Sequence, residues 1–334
     1  MVLCKEPAGE PHRSMKPAIL SALPLSPKLR RILAEHYEVH GPLERPVPEA
    51  IPPEARRARA LITLGGFRTD AAMMAALPEL GLICCYGTGF EGVDQAGAAA
   101  RGIRITHAGD ANSTSVAEFA MGLVIAAARL IVQGDRKVRS GGWTSLGVDR
   151  MPMVPGLAGR RMGIWGLGTI GLKIARRAAA FEMEIGYHNR SPRADVAYSY
   201  HESLLRLAEW SDVLVVAVRA NAGNRHAVGR EVLEALGPRG ILVNIARGLV
   251  VDEMALCEAL ETGRIAGAGL DVYEDEPHVP ERLRALENAV LTPHMAAISR
   301  QAQLNQQQVL LDNLAAFFAG RELRWQVPLP PATP

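Results

Sequence analysis

Cysteine is scarce in this 334-residue chain, and its placement excludes two chemistries. The four thiols are Cys4, Cys84, Cys85 and Cys257, and no C-x-x-C pair occurs among them. That spacing argues against both a zinc site and a redox disulfide. The expectation is small buried hydrophobes in a reducing, cytoplasmic setting. Net charge is nearly absent too. Thirty-seven Lys and Arg against 35 Asp and Glu leave +2, without the electrostatic footprint of a nucleic-acid binder. The longest apolar stretch, residues 119–132, is interrupted by Arg129 and is too short to span a bilayer, so no membrane role is expected. Residues 1–15 carry Lys5, Glu6, Glu10, His12 and Arg13 and lack the apolar region of a secretory signal. They read as a disordered leader, with a natural start at Met15. What remains is 48% apolar residues, an ordinary globular content, in a length suited to two domains.

Strand-like apolar runs alternate with helical patterns almost throughout. Strands are predicted at 17–22, 37–40, 60–64, 82–86 and 103–106, and helices at 27–36 and 71–76. Such alternation predicts a parallel sheet with helices on both faces. A long apolar helix is expected over 113–132, with Ser115 and Glu118 as a capping box. A second run of strands follows at 161–165, 183–188, 213–217, 240–245, 267–272 and 289–291, which predicts a six-stranded doubly wound sheet. Residues 301–319 read as one amphipathic helix before a proline-rich tail.

Between the strand at 161–165 and the next helix lies Gly166-Leu167-Gly168-Thr169-Ile170-Gly171. A G-x-G-x-x-G turn in that context makes a tight bend, lets backbone approach a pyrophosphate, and packs helix on strand. The helix N-terminus then offers N–H groups to the phosphates. About 20 residues on, where a dinucleotide site reads the ribose, an acid would bond a 2′-hydroxyl. This chain has no acid between Tyr187 and Arg193; it has His188, Asn189, Arg190 and Ser191. Arg190 would pair with a 2′-phosphate, and Asn189 and Ser191 could donate to one, whereas a carboxylate would repel it. The cofactor expected is therefore NADP(H). Charge-assisted bonds contribute roughly 1.5–3 kcal/mol each, enough for a ten-fold preference.

A nucleotide fold beginning in mid-chain leaves a separate N-terminal unit. The fold class expected is α/β, with two doubly wound parallel-sheet domains and a cleft between them. In this reading residues 113–299 form a Rossmann NADP-binding domain. It is inserted into a flavodoxin-like substrate-binding domain made of residues 16–112 and 300–334.

Three late segments carry polar groups in apolar surroundings: Leu242 to Gly248, Gly269 to Pro277, and Val290 to Met295. Strand carboxyl ends face the crevice in such sheets, so Arg247, Glu276 and His294 are expected to converge. With Tyr86 to Asp94, these stretches resemble the D-isomer-specific 2-hydroxyacid dehydrogenases, over residues 16 to 327. Within that family the chain most resembles the NADPH-dependent glyoxylate/hydroxypyruvate reductases, which share a Tyr-His-x-Arg-Ser turn.

The resemblance implies a mechanism. His294 would protonate the ketone oxygen, since histidine titrates near neutrality. Glu276 would orient the ring and stabilise imidazolium; Glu274 and Asp275 lie close by, and the family pattern selects the acid before proline. Arg247 would grip the substrate carboxylate with its planar fork. The N–H groups of Thr88 and Gly89 would hold the carboxylate's other side, with Leu64 and Gly65 lining the substrate side. Gly65 and Gly66 either admit a ligand closely or make a tight turn. Ile245, Ala246 and Asp271 join the cofactor wall, Asp271 at the nicotinamide carboxamide. Other histidines, His107, His188 and His226 among them, read as structural. The activity implied is reduction of glyoxylate and hydroxypyruvate to glycolate and D-glycerate by a homodimer. Alternatives are a reductase of larger or aromatic keto acids, a formate or phosphite dehydrogenase, and a non-catalytic dinucleotide sensor.

Overall fold

The computed structural model describes residues 16–330, so the expected leader at 1–15 lies outside the described residues, as does Cys4. The chain divides into two compact units, Met1–Gly109 with Gln307–Pro334, and Asp110–Gln306.

In the first unit the strands are β1 (Ala18–Ser21), β2 (Glu38–His40), β3 (Ala60–Thr63), β4 (Leu82–Cys85) and β5 (Arg104–Thr106). Helices α1 (Pro27–His36), α2 (Ala71–Ala75) and α3 (Gln95–Ala100) connect them. The sheet runs in the order β2-β1-β3-β4-β5 and every pairing is parallel. Strands covered on both faces must be apolar without interruption; the four residues of β3 and of β4 are all buried. Cys84 and Cys85 sit in β4, where burial pushes the Cys84 thiol up to about 12 and raises Cys85 as well. Both are neutral packing groups, as expected.

The second unit opens with α4 (Ser113–Ala128) and α5 (Ile131–Arg139). The sequence pattern predicts one helix here, but Leu130 takes a left-handed backbone (φ 52°) and the axes bend by 64°. A left-handed residue ends α-helical hydrogen bonding. The expected capping box is also not formed, because the helix starts at Ser113, two residues before Ser115. Asn112 holds the cap position, and Ser115, inside the first turn, donates instead to the Ala296 carbonyl. The α4 helix is core: Val116, Ala120, Leu123 and Val124 are buried against the sheet. Among the described residues no single helix is long and apolar enough to cross a membrane.

The rest of the unit alternates β6 (Arg161–Trp165), α6 (Thr169–Ala180), β7 (Glu184–His188), β8 (Ser199–Tyr200), α7 (Leu204–Trp210), β9 (Val213–Val216), α8 (Arg230–Leu236), β10 (Ile241–Asn244), α9 (Glu253–Glu261), β11 (Gly267–Leu270), α10 (Glu281–Arg284) and β12 (Ala289–Leu291). A last helix, α11 (Arg300–Phe318), continues into the first unit, where Leu310, Leu314 and Phe317 are buried. The sheet is parallel, in the order β12-β11-β10-β9-β6-β7-β8. It has seven strands rather than the expected six. The extra member, β8, is a two-residue exposed edge strand with no apolar run to announce it.

Register decides where the site lies. His188 pairs with Trp165, Trp165 with Val216, Val216 with Asn244, Asn244 with Leu270, and Leu270 with Leu291. One row across the sheet thus ends six strands. The residues that follow each strand, including the glycine turn, Arg247, Asp271 and His294, emerge along one edge.

Candidate active site

At the end of β6, Gly166 has φ +100°, a conformation that side chains other than glycine rarely adopt. A Cβ there would meet the backbone of Ala217 and Val218 at 2.7–2.8 Å, and one on Gly171 would meet the Gly166 carbonyl at 2.2 Å. Gly168 faces open space and caps α6. The first N–H groups of α6, from Thr169 and Ile170 onward, have no intrahelical partner, so the turn fits a phosphate-bearing ligand. Asn189 Oδ1 accepts from the Leu167 N–H at 2.7 Å, which braces the turn from β7 and leaves Nδ2 to donate. Arg193 serves the same turn: it donates to the Leu167 carbonyl at 2.7 Å and pairs with Asp195. Arg190 and Ser191 are exposed.

Arg247 follows β10. Buried Asn244 holds that corner in two directions, its Oδ1 accepting from Ala246 N–H and its Nδ2 donating to the Arg247 carbonyl, both at 3.0 Å. The guanidinium donates to the Ala246 carbonyl at 2.7 Å. Ile245 and Ala246 are buried.

His294 Nδ1 lies 2.6 Å from Glu276 Oε2. A carboxylate only accepts, so Nδ1 carries the proton and Nε2 is left facing outward. The three neighbouring acids separate cleanly. Glu276 meets His294, Glu274 meets His226 (2.8 Å) and Arg225, and Asp275 stays exposed beside His278. Burial raises the Glu276 carboxyl, but the bonds from His294 and the Tyr273 N–H, with the charges of His294 and Arg247, outweigh it and hold the carboxyl below its usual range. Nearby Glu253 goes the other way. Burial pushes its carboxyl up, against the bond it accepts from Glu274 N–H at 2.7 Å, and the charges of Glu274, Asp275 and Glu276 add to the rise.

The sign for Glu276 follows from linkage. A folded value below the unfolded one contributes stability that is present above the unfolded value, about 4.3, and is lost as pH falls through the folded one. Wild type is therefore expected to lose more melting temperature than Glu276→Gln between about pH 5 and pH 3. Parallel losses in thermal melts across that window would refute the pairing.

Asp271 does something the sequence did not signal. It is fully buried, and its carboxylate accepts from Thr292 Oγ1 (2.7 Å), Met295 N–H (2.8 Å) and Ala296 N–H (2.8 Å). It ties down the turn carrying His294, whose own φ is +49°. A carboxylate has about four lone-pair sites, so capacity for one more donor remains.

In the first unit, Leu64 and Gly65 follow β3, while Thr88 and Gly89 follow β4. A Cβ on Gly65 would fall 2.0 Å from the Gly89 carbonyl, and Gly92 N–H donates to the Gly65 carbonyl at 2.6 Å. Gly65 therefore serves a close backbone crossing, the tight-turn alternative, while Gly66 has nothing within 4 Å. Among the described residues, the Thr88 and Gly89 N–H groups donate to no protein acceptor.

The profile of the D-isomer-specific 2-hydroxyacid dehydrogenase NAD-binding domain matches residues 121–296. The chain belongs to that family. A hydroxyphenylpyruvate reductase from Plectranthus scutellarioides is 37% identical over 306 residues, covering 91% of this chain and 97% of the relative. A glyoxylate/hydroxypyruvate reductase from Arabidopsis thaliana is 40% identical over 265 residues, 79% of this chain and 84% of the relative. Among solved structures, an NADPH-dependent glyoxylate/hydroxypyruvate reductase from Sinorhizobium meliloti, in complex with NADP and malonate, superposes with a TM-score of 0.87. It is 39% identical and covers 93% of this chain and 97% of its own. This family member is thus an oxidoreductase with a dinucleotide-binding Rossmann domain, and small keto acids are consistent with its relatives.

Proposed function

We propose that this dehydrogenase reduces glyoxylate and hydroxypyruvate with NADPH, giving glycolate and D-glycerate. The observation that carries the reading is the 2.6 Å Glu276–His294 pair in one row with Arg247 and a ribose-reading edge free of carboxylates. Arg247 binds the substrate carboxylate bidentately and polarises the ketone. Thr88 and Gly89 offer the first unit's N–H groups to an anion. When bound, nicotinamide would supply the hydride to the substrate's carbonyl carbon. His294 delivers the proton from Nε2 to the developing alkoxide, and Glu276 stabilises the imidazolium beforehand. Asp271 keeps the His294 turn in place and has an acceptor site left for a carboxamide. Arg190, with Ser191 and Asn189 Nδ2, takes the 2′-phosphate.

The protein acts in the reducing cytoplasm as a homodimer. Between residues 131 and 153 the chain exposes Ile131, Val138, Trp143, Leu146, Val148 and Met153, which supports a covering second copy. A second reading, reduction of an aromatic keto acid, is favoured by the relative that acts on hydroxyphenylpyruvate.

The test is loss of nicotinamide absorbance with NADPH or NADH and glyoxylate, hydroxypyruvate, pyruvate or phenylpyruvate. The expected result is faster oxidation of NADPH with the two small acids, with the NADPH preference reduced about ten-fold in Arg190→Ala. NADH preference in the wild type overturns the cofactor assignment. Preference for phenylpyruvate moves the substrate to the aromatic class, and NADPH binding without turnover favours a sensor.

A further inference from the structure

Arg247, Glu276 and His294 come from three separate segments, and Tyr273 is where the three meet. It follows β11 and is buried. Its backbone N–H donates to Glu276 Oε1 at 3.0 Å. Its hydroxyl donates to the Thr292 carbonyl at 3.0 Å, with the Leu270 carbonyl farther off at 3.4 Å. The same Thr292 carbonyl accepts the His294 N–H at 3.1 Å. On the third side, Gly248, the neighbour of Arg247, presses on the Tyr273 backbone. A Cβ on that glycine would fall 1.8–2.2 Å from the Tyr273 carbonyl and the Glu274 nitrogen.

These contacts act on different members of the site. Both Glu276 oxygens are engaged, Oε2 with His294 Nδ1 at 2.6 Å and Oε1 with the Tyr273 N–H. A carboxylate held at both oxygens cannot turn about its own bond without losing one partner. The Thr292 carbonyl lies two residues before His294, whose φ is +49°. Such a backbone persists only where its surroundings over-determine it. Asp271 holds one side of that turn, through the Met295 and Ala296 N–H groups. The Tyr273 hydroxyl holds the other. Packing alone does not call for that hydroxyl, because the ring is part of the unit's apolar core and a phenylalanine would fill the same space. Burial pushes the hydroxyl up to about 12, so it remains a donor at working pH.

We propose that Tyr273 is the positioning residue of the catalytic pair: its N–H and O–H together fix the Glu276 carboxylate against the His294 ring and so aim Nε2 at the substrate oxygen. The acids nearby do other work. Glu274 is held by His226 and Arg225, on the strap that follows β9, and Glu253 accepts from the Glu274 N–H. Proton delivery from Nε2 rests on the function proposed above; the grip on Glu276 does not.

The test compares full-length wild type, Tyr273→Phe, Glu276→Gln and the double variant. Phenylalanine keeps the ring and the backbone N–H and removes the hydroxyl alone. With the His294 turn loosened, the Glu276 carboxyl moves up toward its usual range, and less stability is lost as pH falls through it. Tyr273→Phe is therefore expected to lose less melting temperature than wild type between about pH 5 and pH 3. The double variant is expected to match Glu276→Gln. The charges around Glu276 and its neighbour Glu253 belong to His294, Arg247, Glu274 and Asp275, and an effect routed through any of them except Glu276 survives in the double variant. In the same protein kcat for hydroxypyruvate is expected to fall about three- to ten-fold, the size of one hydrogen bond, with KM changed by less than about two-fold. In a His294→Ala background the substitution should cause no further loss. A hydroxyl that merely satisfies a carbonyl would lower the melting temperature equally at every pH and leave kcat alone. Either result overturns the proposal, as does a full further loss of kcat in the His294→Ala background. A near-normal kcat in His294→Ala by itself removes the general-acid reading, and the melts still decide the grip of Tyr273.

Discussion

Replacing His294 by alanine is expected to lower kcat for keto-acid reduction by about 100-fold or more, the range for losing a positioned general acid. The reasoning is geometric. Nδ1 is committed to Glu276 at 2.6 Å, so the ring presents a single nitrogen to substrate and cannot rotate freely. The turn is held as firmly, because the buried Asp271 carboxylate accepts from Thr292, Met295 and Ala296. Hydride addition to a ketone builds negative charge on oxygen, and without a donor the alkoxide must take its proton from water. A general acid must start protonated, so the wild-type rate falls as pH rises, and the variant should lose that dependence. Steady-state kinetics across pH provide the check. A near-normal kcat in the alanine variant would falsify the assignment, and a reduced kcat with the wild-type pH profile would mean that His294 acts through structure.

Arg247→Gln is expected to lower kcat/KM for hydroxypyruvate by about 100-fold or more. Two charge-assisted bonds to a carboxylate, at roughly 1.5–3 kcal/mol each, disappear together. Arg247→Lys keeps the charge without the fork and should fall between, at about ten-fold. Methyl hydroxypyruvate sharpens the test, because it lacks the anionic carboxylate. Wild type should strongly prefer the acid over the ester, and Arg247→Gln should lose most of that preference. A preference that survives the substitution would place the carboxylate elsewhere. The same variant should move the Glu276 carboxyl upward, since the Arg247 charge helps hold it below its usual range.

The two substitutions separate the two kinds of work in the site. His294 acts on charge that develops during reaction and should register in kcat. Arg247 acts on charge already present in the substrate and should register in kcat/KM. Asn244 and Asp271 touch neither charge but hold the two corners. Glu253 and Glu274 form a further layer, in which Glu274 bridges His226 and Arg225 on the strap to the segment carrying Glu276.

Much of this architecture is legible in the amino-acid order alone. Uninterrupted apolar runs bounded by glycine and polar residues mark the long parallel strands, because strands buried on both faces have no polar side to alternate with. The glycine turn announces itself, since its spacing answers to backbone constraints that only glycine meets. The missing acid after Tyr187 is likewise a property of the order of residues. Other features depended on packing. The break at Leu130 comes from a single left-handed backbone that no breaker residue signals. Ser115 has the spacing of a cap, yet it bonds a carbonyl 181 positions away. β8 pairs through two exposed residues at a sheet edge. Among Glu274, Asp275 and Glu276 the family pattern selects Glu276, but the 2.6 Å contact it makes with His294 depends on the register that aligns β11 with β12. Local physics is written into neighbouring residues, whereas the contact between a distant carboxylate and a ring forms only when strands far apart in the chain are laid side by side.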